Sequence, residues 1–167
     1  MTGQRLRAAF RRPALRFAIV AVCVAGALAC QFDPYTASYA TSKPKMEDLI
    51  GPWRATDATT RDLSKGSYSK LKPKIVLAAD GSIRMSEIPD TWRSPFGQGH
   101  GQAQDFAGKW KLDHHQDRWW GLLLDDGHML YLGQLMVMEN RAPHLLVLRY
   151  GDPDNGDGYE FERAVEQ

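Results

Sequence analysis

Two Asp-Gly pairs, Asp80-Gly81 and Asp126-Gly127, constrain this chain more than any other feature. Each falls between runs rich in aliphatic, aromatic and β-branched residues. Asp-Gly supplies the left-handed backbone of a tight hairpin turn, so each pair joins two neighbouring antiparallel strands. Strands are expected over 49–55, 74–79, 82–88, 106–112, 119–124, 129–138, 145–150 and 158–163. The last of these, Gly158-Tyr159-Glu160-Phe161-Glu162-Arg163, alternates strictly between apolar and polar. After the N-terminal segment no stretch has convincing helical periodicity. The one long gap, Pro89 to Asp105, holds Pro89, Pro95, Gly97, Gly99 and Gly101 and reads as a mobile loop at one mouth. Eight short strands joined by local hairpins predict an all-β domain, a single eight-stranded up-and-down barrel. A Greek key would need a long crossover, and none is visible.

The first 29 residues carry an address. Arg5, Arg7, Arg11, Arg12 and Arg16 precede an apolar run from Phe17 to Ala29, and no acidic residue occurs before Asp33. A charged head, a short apolar helix and small residues before a cut are the parts of a secretory signal peptide. The run has 13 residues, whereas crossing a bilayer as a helix takes about 20. Ala27-Leu28-Ala29-Cys30 resembles the lipobox of bacterial lipoproteins, with Ala27 where a larger aliphatic residue is usual. The resemblance implies cleavage before Cys30, acylation of its thiol and anchoring to the bacterial cell membrane on its extracytoplasmic side. Without lipidation, cleavage after Ala29 would release a secreted protein. An uncleaved anchor is the remaining alternative.

Cleavage there leaves 138 of 167 residues and removes five arginines, so 16 basic residues face 20 acidic ones. A mildly acidic exported domain gives no electrostatic case for nucleic acid. Of the two cysteines, Cys23 lies within the signal, so no internal disulfide can form and the domain depends on its hydrophobic core. Residues 30–45, with Asp33, Pro34, Thr36, Ser38, Thr41, Ser42, Lys43 and Pro44, read as a flexible tether. The barrel domain is expected over 46–167.

Gly51-Pro52-Trp53 and Gly108-Lys109-Trp110 are two Gly-x-Trp elements, 57 positions apart. Glycine near a strand start permits close backbone approach, and tryptophan can plug a barrel end. With the hairpin at Asp80-Gly81, the loop Gly151-Asp152-Pro153-Asp154-Asn155-Gly156, and Tyr159, Phe161 and Arg163, these elements give a recognisable order. It resembles a group of small bacterial lipoproteins of actinobacterial type with a lipocalin-like β-barrel, of no established function. The resemblance covers about Met46 to Ala164 and implies a lipocalin-like fold.

Candidate sites are few. Trp119, Met129 and Tyr131 are the side chains expected to line an apolar ligand cavity, although Trp119 and Trp120 must face opposite sides of a strand. Asp152 to Gly158 invites a calcium reading, but the ligand spacing breaks down at Gly156 and Arg163, and the composition also suits a tight turn. His114 and His115 would diverge on a strand, and His100, His128 and His144 fall beside turns, so exposed histidines are expected rather than metal ligands. No Gly-x-Ser-x-Gly or triad spacing occurs. The expectation is therefore a non-enzyme without cofactor, binding a small apolar ligand or an exported protein. The alternative is an envelope inhibitor or immunity-type factor acting through the 89–105 loop.

Overall fold

The computed structural model describes Tyr35 and residues 37–94, 97–151 and 156–164, with residues 130–134 described by their backbone alone. Eight strands follow one another: β1 Gly51–Ala55, β2 Lys74–Leu77, β3 Ser82–Pro89, β4 Ala103–His115, β5 Trp119–Asp125, β6 Leu130–Met138, β7 Leu145–Arg149 and β8 Gly158–Arg163. Each pairs antiparallel with the next, and β8 pairs back onto β1, so the sheet closes as an up-and-down barrel. Closure leaves no edge strand to be protected. The connections β1–β2, β3–β4, β5–β6 and β7–β8 lie at one end, the rim. The short turns β2–β3, β4–β5 and β6–β7 lie at the other.

Alternation decides which side chains enter. Trp53, Ile75, Leu77, Ile83, Met85, Leu122, Leu124, Leu135, Val137, Leu146, Leu148 and Phe161 belong to one core cluster, and each is at most 1% exposed. An eight-stranded barrel has an interior just wide enough for side chains to fill, and the described inward side chains pack there with almost no exposure.

Both Gly-x-Trp tryptophans sit inside, towards the turn end. The Trp53 indole donates to the Leu49 carbonyl at 2.9 Å, and Arg163 lies 5.8 Å over its ring while donating to the Asp48 carbonyl at 2.9 Å. The Trp110 indole donates to the Ala78 carbonyl at 3.2 Å. Gly108 allows β4 to cross close to β5, since a Cβ there would collide with the Asp125 carbonyl oxygen.

Two short helices depart from the all-strand expectation. Helix α1 spans Met46–Leu49 and α2 spans Asp57–Ser64. Thr56 caps α2, its hydroxyl accepting from the Thr59 N–H at 3.3 Å. Only Thr59 and Leu63 of α2 are buried, so the helix has no apolar stripe to betray it. Strand β4 runs to 13 residues and absorbs Asp113-His114-His115. Its turn holds left-handed backbone at Gln116 and Asp117 (φ 50° and 53°).

The expected tether is docked over part of its length. Tyr39 is 1% exposed and bridges to Met138. The Ala40 N–H donates to the Val137 carbonyl and its own carbonyl accepts from Trp120 N–H, so Ala40 sits in a seam between β5 and β6. Asn140 Oδ1 accepts from the N–H groups of Thr41 and Ser42, each at 2.8 Å. Tyr39 supplies the burial that the segment's polar composition conceals. It covers a second apolar cluster with Met136, Met138 and Val147 on the barrel's outer wall.

Candidate functional site

The rim gathers the chain's polar aromatic side chains. Pro89 ends β3, and a 3₁₀ turn over Asp90–Arg93 folds Asp90, Thr91 and Trp92 inward. Trp92 is 1% exposed and meets Phe106 edge-on, with ring centroids 5.8 Å apart. Asp90 is buried and collects donors from two connections. The Tyr68 hydroxyl donates to its Oδ1 at 2.6 Å and the His100 N–H to its Oδ2 at 2.9 Å. Tyr68 in turn accepts from the Gly101 N–H at 3.4 Å. Thr91 and Tyr159 share a hydroxyl hydrogen bond of 2.7 Å, and Tyr159 stacks on Tyr150 with centroids 4.5 Å apart. Arg93 lies 4.9 Å over the Trp92 ring and 3.7 Å from Asp126 in the β5–β6 turn. All four rim connections are thereby laced together.

The electrostatics follow from this wiring. Burial pushes the Asp90 carboxyl up, but the hydrogen bonds from Tyr68 and from the His100 and Gln102 backbone outweigh it and hold the group below the ordinary carboxylate range. Burial raises the Tyr159 phenol, and burial together with its bond to Asp90 raises Tyr68. A carboxylate depressed in the folded state stabilises fully above its unfolded value of about 3.9, and that contribution fades as pH falls through the folded value. Raised phenols act the other way: their contribution is present below about pH 10 and is lost as pH rises through the folded values. Urea midpoints should therefore stay level near neutrality and fall in acid, and Asp90→Asn should flatten part of the acid limb. An unchanged acid limb in that variant would show that the carboxylate does not clamp the rim.

Gly99 shows how tightly the loop sits. A Cβ there would lie 2.8 Å from Asp90 Oδ1 and collide with the Tyr68 hydroxyl. The Asp90 carboxylate is directed at neighbouring loop donors, and the arrangement acts chemically as a clamp. The expected mobile loop is thus anchored at its first part, and its exposed side chains among the described residues include Arg93, Gln98, His100 and Gln102.

Of the expected ligand-lining set, the two members with described side chains, Trp119 and Met129, do not come together. Trp119 faces outward and packs on Tyr39, with centroids 5.5 Å apart, whereas Trp120 is the member of the pair that packs against the core. Strand parity with Leu122 and Leu124 decides this. Met129 sits in the β5–β6 turn and is 60% exposed, because the strand begins one residue later. Tyr131 pairs with Leu124 through its backbone, and its side chain lies outside the described residues. Cys30 and Asp152–Asn155 also lie outside them. The histidines split. His114 stacks on Trp120 at 4.6 Å, while His144 is 4% exposed with Nδ1 3.0 Å from the Glu139 carbonyl, contrary to an exposed turn position. Among the described residues no group of three or more His, Cys, Asp and Glu side chains could hold a metal ion.

The signals for the rim clamp are dispersed. Tyr68 and Asp90 are 22 positions apart and Thr91 and Tyr159 are 68 apart, so no local motif joins them. Trp92, a large aromatic inside a glycine-rich polar stretch, is a residue that could have indicated a buried loop. No protein-family model, curated protein or solved structure matches this chain.

Proposed function

We propose that the chain is a bacterial lipoprotein, held on the extracytoplasmic face of the cell membrane by acylated Cys30. In this reading its lipocalin-like barrel serves as a non-catalytic module that binds a protein partner. The observation that carries the choice of partner over apolar ligand is the filled interior. Ligand sites in barrels need about 300–1,000 Å³ of largely apolar space, whereas the described core side chains, Trp53, Ile75, Leu122, Leu135, Leu148 and Phe161 among them, pack with at most 1% exposure. The address rests on the arginine-rich head, the short apolar run and the small residues ahead of Cys30. A lipoprotein's acyl chains give a stable hold where one chain is marginal.

Fractionation tests the anchor. Cys30→Ser should move the protein from the membrane to the soluble extracytoplasmic fraction, and the wild type should take up radiolabelled fatty acid that the variant does not. Equal membrane partition of the two, or no label on the wild type, would refute the anchor.

A further inference from the structure

The outer wall of β1–β4 differs in charge from the domain as a whole. Lys74, Arg84, Lys109 and Lys111 all face outward and are exposed. Among the described residues, none of the four has an ion-pair partner. Arg54, directly opposite Lys74 in the ladder, is instead joined to Glu162 at 2.6 Å. Like charges facing across a ladder disfavour the sheet, so the Arg54–Lys74 pair costs stability. Four exposed cations on one wall stand out in a mature chain with more acidic than basic residues, although Lys109 also acts on Asp80 and faces Asp125 across the ladder. The register places Val76 opposite Arg84, and Arg84 opposite Ala107, in one row across three strands. Val76 is 44% exposed and gives the wall an apolar point amid the cations.

The surface beside this row is concave. The ladder between β3 and β4 slips between Met85 and Ile88, where Glu87 adopts φ 55°. A groove of about 370 Å³ opens there, bounded by Arg84, Ser86, Asp105 and Ala107 and floored by Met85 and Phe106. A second hollow of about 170 Å³ lies beside Lys109 and Lys111. Cations, grooves and an exposed aliphatic side chain thus coincide on one side of the barrel.

We infer that this wall is a docking surface for an acidic protein segment, with carboxylates meeting Lys74, Arg84, Lys109 and Lys111 and an apolar side chain meeting Val76. Charge complementarity selects the occupant, since opposed potentials steer encounter and set register. An anionic bilayer is the other polyanion within reach of an anchored protein. Against it, an extended segment can follow the groove beside Arg84 and set an apolar side chain on Val76, which a planar headgroup layer does not do. The inference rests on the partner-binding reading above.

The test uses the mature lipidated protein in detergent micelles, titrated with an unstructured peptide of repeated Glu-Gly-Leu. Saturable binding is expected, with amide shifts centred on Val76, Arg84 and Ala107. Arg84→Glu/Lys109→Glu should weaken binding about tenfold or more, and added salt should weaken it for the wild type. The charge-matched control Lys65→Glu/Lys70→Glu, on the β1–β2 connection, should bind like the wild type. Circular dichroism of the wall variant should match the wild type, and a wall variant that fails to fold is replaced by Val76→Asp with the same expected loss. No saturable binding, equal loss in the control, or tighter wall-dependent binding to vesicles of phosphatidylglycerol and phosphatidylcholine would overturn the inference. Retained membrane partition of Cys30→Ser, or saturable uptake of an apolar ligand, would instead refute the reading beneath it.

Discussion

Trp53→Ala should cost about 3–5 kcal/mol, the range for deleting a large buried aromatic. Three losses combine. The ring is 1% exposed, so its removal leaves a void among the buried side chains around it. The Leu49 carbonyl loses its indole donor, and Arg163 loses the surface it covers while its own bond to Asp48 ties α1 to the barrel. A cost of this size approaches the lower limit of total stability for a typical domain, about 5 kcal/mol. Urea titration at constant m should show the midpoint falling steeply. A loss below about 1 kcal/mol would mean that the Gly-x-Trp element does not plug the barrel.

Removing the docked N-terminal segment should be nearly as damaging. A chain beginning at Met46 should be less stable than one beginning at Asp33 by at least about 3 kcal/mol, on the scale of burying one large aromatic. Tyr39 is the chief loss, and with it go the backbone bonds that Ala40 makes to Val137 and Trp120 and Ser38 makes to Glu139. Opening that seam also exposes Met136, Met138 and Val147, an apolar patch that favours association. Tyr39→Ala in the longer chain separates side-chain burial from backbone pairing. Equal midpoints for the two chain lengths would show that residues 33–45 act only as a spacer.

The barrel was legible because its signals are local. Asp80-Gly81 lies in the β2–β3 turn, where the Asp80 carboxylate accepts from the Ser82 N–H at 2.8 Å and Gly81 has φ 76°. The alternation of Tyr159, Glu160, Phe161 and Glu162 appears as inward and outward faces of β8. Closure of β8 onto β1 is non-local, yet it follows once eight strands meander in one direction.

What was illegible depends on residues distant in sequence. Alternation requires Trp119 and Trp120 to diverge, but which of them is inside depends on packing against Tyr39, 80 positions earlier. Leu122, Leu123 and Leu124 are all buried, so polarity gives no hint of the strand's inner face. The tether's composition is polar, and one tyrosine outweighs it. The rim clamp joins Tyr68, Asp90 and His100 through two connections whose own sequences look like ordinary loops.

A filled interior would separate a protein-binding barrel from a carrier. Titration of the purified, delipidated domain with the apolar fluorophore N-phenyl-1-naphthylamine tests it most directly, read by energy transfer from the buried tryptophans. The expected result is a weak signal that rises linearly without saturating, unchanged by Met129→Ala. Saturable uptake of one probe per chain with a dissociation constant near 1 μM, equivalent to about 8 kcal/mol of binding free energy, would contradict it.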